Sequence, residues 1–212
     1  LGWPGPVAHD GGPRAAAVAP GRRVPLVIVL HGLGEQTSSL ESYSGMSKKA
    51  DAEGFLAVYP VGIGASWNAG FGMGTAYTTN VDDVGFIREL IVSLQQSYTI
   101  DGNRIYIAGF SNGACMAYRL AAELSDEIAA AAIVAGTAGG RHNSTSPPVM
   151  NVGANSAQPV SLIVFQGTED AIIYYGGSGI DSMILLSTNE SVSLWVRHDG
   201  CSEVPRIEEI SG

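Results

Sequence analysis

Short apolar runs alternate along this chain with stretches whose apolar residues return every three or four positions. Residues 24–30 (VPLVIVL) form a continuous, β-branched run, which at this length predicts a buried parallel strand rather than a helix. Similar runs predict strands at 55–59 (FLAVY, closed by Pro60), 104–108 (RIYIA), 129–135 and 160–165 (VSLIVF). Helical spacing lies between them. Residues 80–98 carry Val84, Ile87, Ile91 and Leu94 on one stripe, with Asn80 or Asp82 placed to cap it. Residues 43–53, 112–124 and 190–198 read as further helices, 101–103 as a turn, and 205–210 as the start of a last strand. The Gly-rich loop 61–79 holds Trp67, Asn68, Phe71 and Tyr77, and a loop this long inside a compact domain is usually functional. Residues 141–159 read as a polar insertion and 1–20 as irregular chain or a worn edge strand. The strand–helix alternation predicts an α/β class with a mostly parallel sheet.

Composition narrows the picture. The chain has 212 residues, 45% hydrophobic and 15% charged, which fits one globular domain over 1–212 and excludes global disorder. Lys and Arg number 11 against 20 Asp and Glu, a net charge of −9, so nucleic acid and anionic membranes are not expected partners. No apolar run reaches the roughly 18 residues of a membrane span. Two cysteines make no disulfide framework: Cys115 is expected as a buried free thiol and Cys201 lies in a polar loop. No H-x-x-x-H or C-x-x-C pair and no phosphate-binding loop is present, so no metal or cofactor is expected.

The chemical signal is Gly109-Phe110-Ser111-Asn112-Gly113, a G-x-S-x-G pattern with an apolar strand before it and a helix after it. The chemistry needs that context. A serine on a sharp strand-to-helix turn is lifted clear of the sheet, small flanking residues let other backbone pass close by, and the N–H of Asn112 at the helix start faces a developing oxyanion. A second oxyanion donor is expected from the turn after an early strand, and His31-Gly32-Leu33-Gly34 supplies one, with the Leu33 N–H as the donor and His31 holding the loop rather than acting as base. The acid is expected after a later strand. Asp170 in Gln166-Gly167-Thr168-Glu169-Asp170 fills that place, with Glu169 as its competitor. A triad histidine follows the acid in this fold, which leaves His198, and its position at the end of a helix disfavours it; His142 precedes the acid.

These segments resemble the polyhydroxybutyrate-depolymerase-like esterases, a branch of the α/β-hydrolases that includes feruloyl and acetylxylan esterases and secreted depolymerases. The resemblance is carried by PLVIVLHG (25–32), AEGFLAVYP (52–60), SWN (66–68), VDDVGFIRELI (81–91), YTIDGNRIYIAGFSNGACMAYRLA (98–121) and VFQGTEDAIIYYGG (164–177). It implies an α/β-hydrolase fold with helices on both sheet faces, Ser111 as nucleophile, Asp170 as acid, His31 and Gly32 shaping the oxyanion loop, and Trp67 near the substrate. It also implies an ester or ester-bearing polymer as substrate, an extracellular or periplasmic location, and a catalytic histidine on a Gly-Gly-His turn after a late strand. Residues 206–212 (RIEEISG) resemble that strand, and the chain is expected to stop just before the histidine. The expected activity is therefore serine ester hydrolysis through an acyl-enzyme; a non-catalytic binding member of the same fold and a serine peptidase are the alternatives.

Overall fold

The computed structural model describes residues 14–15, 23–72, 74–141, 145–151, 157–177 and 183–210. Six strands form the main sheet: β1 (Arg14–Ala15), β2 (Val24–Leu30), β3 (Leu56–Val58), β4 (Ile100–Phe110), β5 (Ala130–Val134) and β8 (Ser161–Phe165). Their order is β1-β3-β2-β4-β5-β8, parallel throughout except for β1, which runs antiparallel to β3. Each apolar run of the sequence thus becomes a strand of one sheet. The predicted turn at 101–103 lies instead inside β4, as an irregularity in its pairing with β2 where the register jumps between Val24↔Ile100 and Leu26↔Ile105.

One face of the sheet is closed by α4 (Asp83–Ser97) and α5 (Asn112–Glu123). Leu26, Ile28, Leu30, Ile105, Ile107 and Ile133 point there, against Ile87, Ile91, Met116 and Leu120. The stripe expected on 80–98 faces this core, and Asp82 is its cap, accepting the N–H of Gly85. The helix expected at 43–53 is two helices, α1 (Thr37–Ser44) and α2 (Met46–Glu53), because Gly45 between them takes a left-handed conformation at φ 61°. Helix α2 packs on the β1–β3 side. Next to it, Tyr106, Ala108, Ala130 and Ala132 are only half-buried, and Ile163 and Phe165 of β8 are each 54% exposed, so this half of the second face is open among the described residues.

Two expectations are corrected. The insertion at 141–159 is not wholly irregular: β6 (Gly139–Arg141), β7 (Val149–Met150) and β9 (Ile184–Leu185) make a small antiparallel sheet in the order β7-β6-β9. It sits on a second apolar cluster of Ala69, Phe71, Cys115, Met183 and Leu185. The last strand predicted at 205–210 does not form. Val204, Ile207 and Ile210 recur every third residue, so a strand would put them on alternating faces, and they stand at least 80% exposed. Helix α3 (Thr75–Thr78) is a short turn within the loop 61–79, and α6 (Thr188–His198) starts in a capping box of Ser187 and Glu190. No helix among the described residues is long and apolar enough to cross a membrane.

Candidate active site

The sheet delivers its loops to one edge. Ser111 follows β4 directly and precedes α5, with φ 53° and ψ −118°, a conformation that L-residues adopt only under constraint. The constraint is visible in its neighbours. A Cβ on Gly109 would overlap Gly113 and lie 2.7 Å from the Ala114 nitrogen, and one on Gly113 would lie 2.6 Å from the His31 carbonyl oxygen. Both glycines are needed for contact, since neither is in the left-handed region. The Ser111 N–H donates to Val134 O at 2.9 Å, and its carbonyl accepts from the N–H groups of Ala114 and Cys115. Its hydroxyl takes no part in capping α5.

The turn after β2 lies against this elbow. In that turn, Gly32 N–H donates to Glu35 Oε2 at 2.9 Å and Gly34 N–H to Ala65 O at 2.8 Å; neither bond uses the N–H of Leu33 between them. Leu33 itself is exposed. The Asn112 N–H belongs to the first turn of α5, where no helical carbonyl precedes it. His31 is wholly buried. Its Nε2 accepts the Gly62 N–H at 3.0 Å, which leaves Nδ1 as the donor to Gly32 O at 2.8 Å. Both ring nitrogens of His31 are thus engaged by main-chain groups of two loops.

Asp170 lies beyond β8 on the same sheet edge as Ser111, with β5 between; two strand spacings put the strand ends roughly 10 Å apart. The ends of the three strands are linked by Ser111 N–H to Val134 O and Ala135 N–H to Phe165 O, both 2.9 Å. The Asp170 carboxylate is held at both oxygens. Oδ1 accepts from the N–H groups of Ile172 (2.9 Å) and Ile173 (3.0 Å), and Oδ2 from Gln166 Nε2 (3.1 Å). Glu169, the competitor, is exposed. No described imidazole is among the Asp170 partners. His198 ends α6 with Nδ1 2.8 Å from Asp199 Oδ1 and its ring edge-on to Trp195, while His9 and His142 lie outside the described residues.

Trp67, expected near the substrate, has its side chain in the core. It is fully buried, its indole 5.0 Å from the His31 ring and stacked on Phe86, with Nε1–H donating to His31 O at 3.1 Å. Its main chain, and that of the next two residues, is held by side chains whose part the sequence did not reveal. The Asn112 carboxamide accepts the Trp67 N–H (2.7 Å) and donates to the Trp67 carbonyl (3.1 Å). Asp83 Oδ2 accepts the Asn68 N–H at 2.6 Å, Arg119 donates to Asn68 O at 2.7 Å, and Asn151 donates to Ala69 O at 3.0 Å. Asp83 is buried, and desolvation holds its carboxyl above the usual range despite the Asn68 bond and the Arg119 charge. In the sequence an Asp in the first turn of a helix reads as dipole placement, which hid this role. Burial also pushes the Cys115 thiol up to about 11. Among the described residues no cluster of His, Cys, Asp and Glu is placed to hold a metal ion.

A parallel sheet with helices on both faces, and a serine elbow between a strand and a helix at its carboxyl edge, define the α/β-hydrolase class. The chain belongs to the esterase PHB depolymerase family, whose sequence profile matches residues 13–194. It is 31% identical over 207 residues to the Nocardia uniformis subsp. tsuyamanensis protein named "Putative esterase NocK", covering 92% of this chain and 57% of that one. It is 32% identical over 152 residues to the bifunctional acetylxylan esterase/xylanase XynS20E of Neocallimastix patriciarum (71% of this chain, 20% of that protein). It is 26% identical over 202 residues to poly(3-hydroxyalkanoate) depolymerase C of Paucimonas lemoignei (89% and 48%). The chain spans little more than half the length of the first of these relatives and less of the others. The fold is similar to that of a phospholipase/carboxylesterase from Dyadobacter fermentans (TM-score 0.56, 17% identity, 84% of this chain and 78% of that one). A thermostable esterase is similar too (TM-score 0.56, 20% identity, 88% and 46%).

Proposed function

We propose that this protein is a serine carboxylic-ester hydrolase. Ser111 Oγ attacks the ester carbonyl, the N–H groups of Leu33 and Asn112 receive the oxyanion, the alcohol leaves, and water cleaves the acyl-enzyme. Asp170 orients the imidazole that takes the serine proton and returns it to the leaving alcohol. Among the described histidines neither is assigned that part, since His31 is engaged at both nitrogens and His198 is paired with Asp199. The observation that carries the reading is the Ser111 backbone at φ 53° and ψ −118° at the head of α5. Names among the relatives support acyl groups of the acetyl, feruloyl or hydroxyalkanoate type, borne on polysaccharide or polyester.

The test is reaction with a fluorophosphonate probe and turnover of p-nitrophenyl acetate and methyl ferulate. Labelling is expected at Ser111, and Ser111→Ala is expected to lower ester turnover by at least roughly 10³-fold, with Asp170→Asn close behind. The alternative reading is a binding member of the family without turnover. An unlabelled Ser111 and no ester turnover would select it. Cleavage of peptide anilides without ester cleavage would instead indicate a peptidase.

A further inference from the structure

The two proposed oxyanion donors come from different loops, one after β2 and one after β4, yet must stay within a few tenths of an ångström of a shared geometry. A continuous series of hydrogen bonds joins them. It begins at Asn112, whose own N–H is one donor and whose carboxamide grips both main-chain groups of Trp67. It continues through the Trp67 indole N–H to His31 O, with the indole resting against the imidazole. It ends where His31 Nδ1–H donates to the carbonyl of Gly32. That carbonyl and the Leu33 N–H are the two ends of one planar peptide unit, so a donor fixed on the oxygen turns the N–H the opposite way. Every side chain in the series is committed: Trp67 and His31 are fully buried, and His31 Nε2 is closed off by Gly62.

We infer that Trp67 and the side chain of Asn112 are positioning residues that lock the Leu33 and Asn112 N–H groups into one rigid oxyanion site. The inference rests on the esterase reading for its catalytic consequence, but the tie itself is a mechanical link that can be measured without turnover. Asn112→Ala keeps the Asn112 N–H and removes both bonds to Trp67. Trp67→Phe keeps a ring against His31 and removes the indole donor together with part of the buried ring volume.

The experiment pairs steady-state kinetics on p-nitrophenyl acetate with hydrogen–deuterium exchange. Each variant is expected to lower kcat by roughly 10- to 100-fold with KM within about twofold, because the loss falls on the transition state. Exchange is expected to accelerate together in 31–35 and 62–69. Arg88→Ala, which breaks the ion pair to Glu127 away from the site, serves as the control for general loosening and is expected to keep wild-type kcat. Unchanged kcat in Asn112→Ala, a rise in KM alone, or faster exchange in 62–69 with 31–35 unmoved would each overturn the tie. An unreactive Ser111 in the unaltered protein would overturn the esterase reading and leave the exchange result to decide the tie.

Discussion

Gly113 stands so close to the turn after β2 that a Cβ on it would overlap the carbonyl oxygen of Leu30. The obstacle is backbone of a central strand, which cannot swing aside. Gly113→Ala is therefore expected to destabilise the fold by about 3 kcal/mol or more, beyond ordinary overpacking. Gly109→Ala meets the Gly113 and Ala114 backbone and is expected to match it. Urea denaturation reads both; a cost under about 1 kcal/mol for either would mean the elbow can open.

Ser111 carries backbone strain that a glycine would release. At φ 53° and ψ −118°, Ser111→Gly is expected to be more stable than Ser111→Ala by about 1–2 kcal/mol, although both lose the hydroxyl. Thermal unfolding of the two variants side by side checks this, and equal stabilities would place the strain elsewhere.

The two thiols differ in access. Cys115 is buried and its thiol is pushed up to about 11, whereas Cys201 is exposed. Iodoacetamide at pH 8 is expected to modify Cys201 alone in the native protein and both after denaturation. Mass spectrometry of the two samples reads the count. Native modification of Cys115 would show that the small apolar cluster around it opens.

Helix α6 supplies a pH test. The Ser187 hydroxyl and N–H hold the Glu190 carboxyl below its usual range. A carboxyl lowered in the folded state adds stability above its unfolded value, and that contribution is lost as pH falls through the lowered value. Ser187→Ala is expected to cost about 1 kcal/mol at pH 7, with the difference from wild type shrinking below pH 4. Denaturant midpoints at pH 7 and pH 3 decide it; a constant difference would mean the hydroxyl acts without the carboxylate.

The sequence was most informative where one physical rule governed a whole segment. Continuous apolar runs became β2, β5 and β8, and the Val84–Leu94 stripe faces the core because period alone sets which side of a helix is buried. The break at Gly45 was missed because a single left-handed residue interrupts an otherwise helical polarity pattern. The small sheet was hidden because strands of two or three residues carry no period, and Gly139 and Gly140 no strand preference. At the candidate site, the strand–turn–helix around Ser111 was legible as a motif. Trp67 was not, since an aromatic in a Gly-rich loop reads as a ligand contact until its burial against His31 is seen. The grips of Asn112, Asp83, Arg119 and Asn151 on residues 67–69 depend on three-dimensional proximity that no local pattern encodes.

The open side of β8 has a practical consequence. Its outer row of main-chain amides and carbonyls ends the sheet among the described residues, with Ile163 and Phe165 standing beside it. Such a border is a template for any extended chain, a second molecule included. Ile163→Lys is expected to slow the clouding of concentrated stocks, read by light scattering over days.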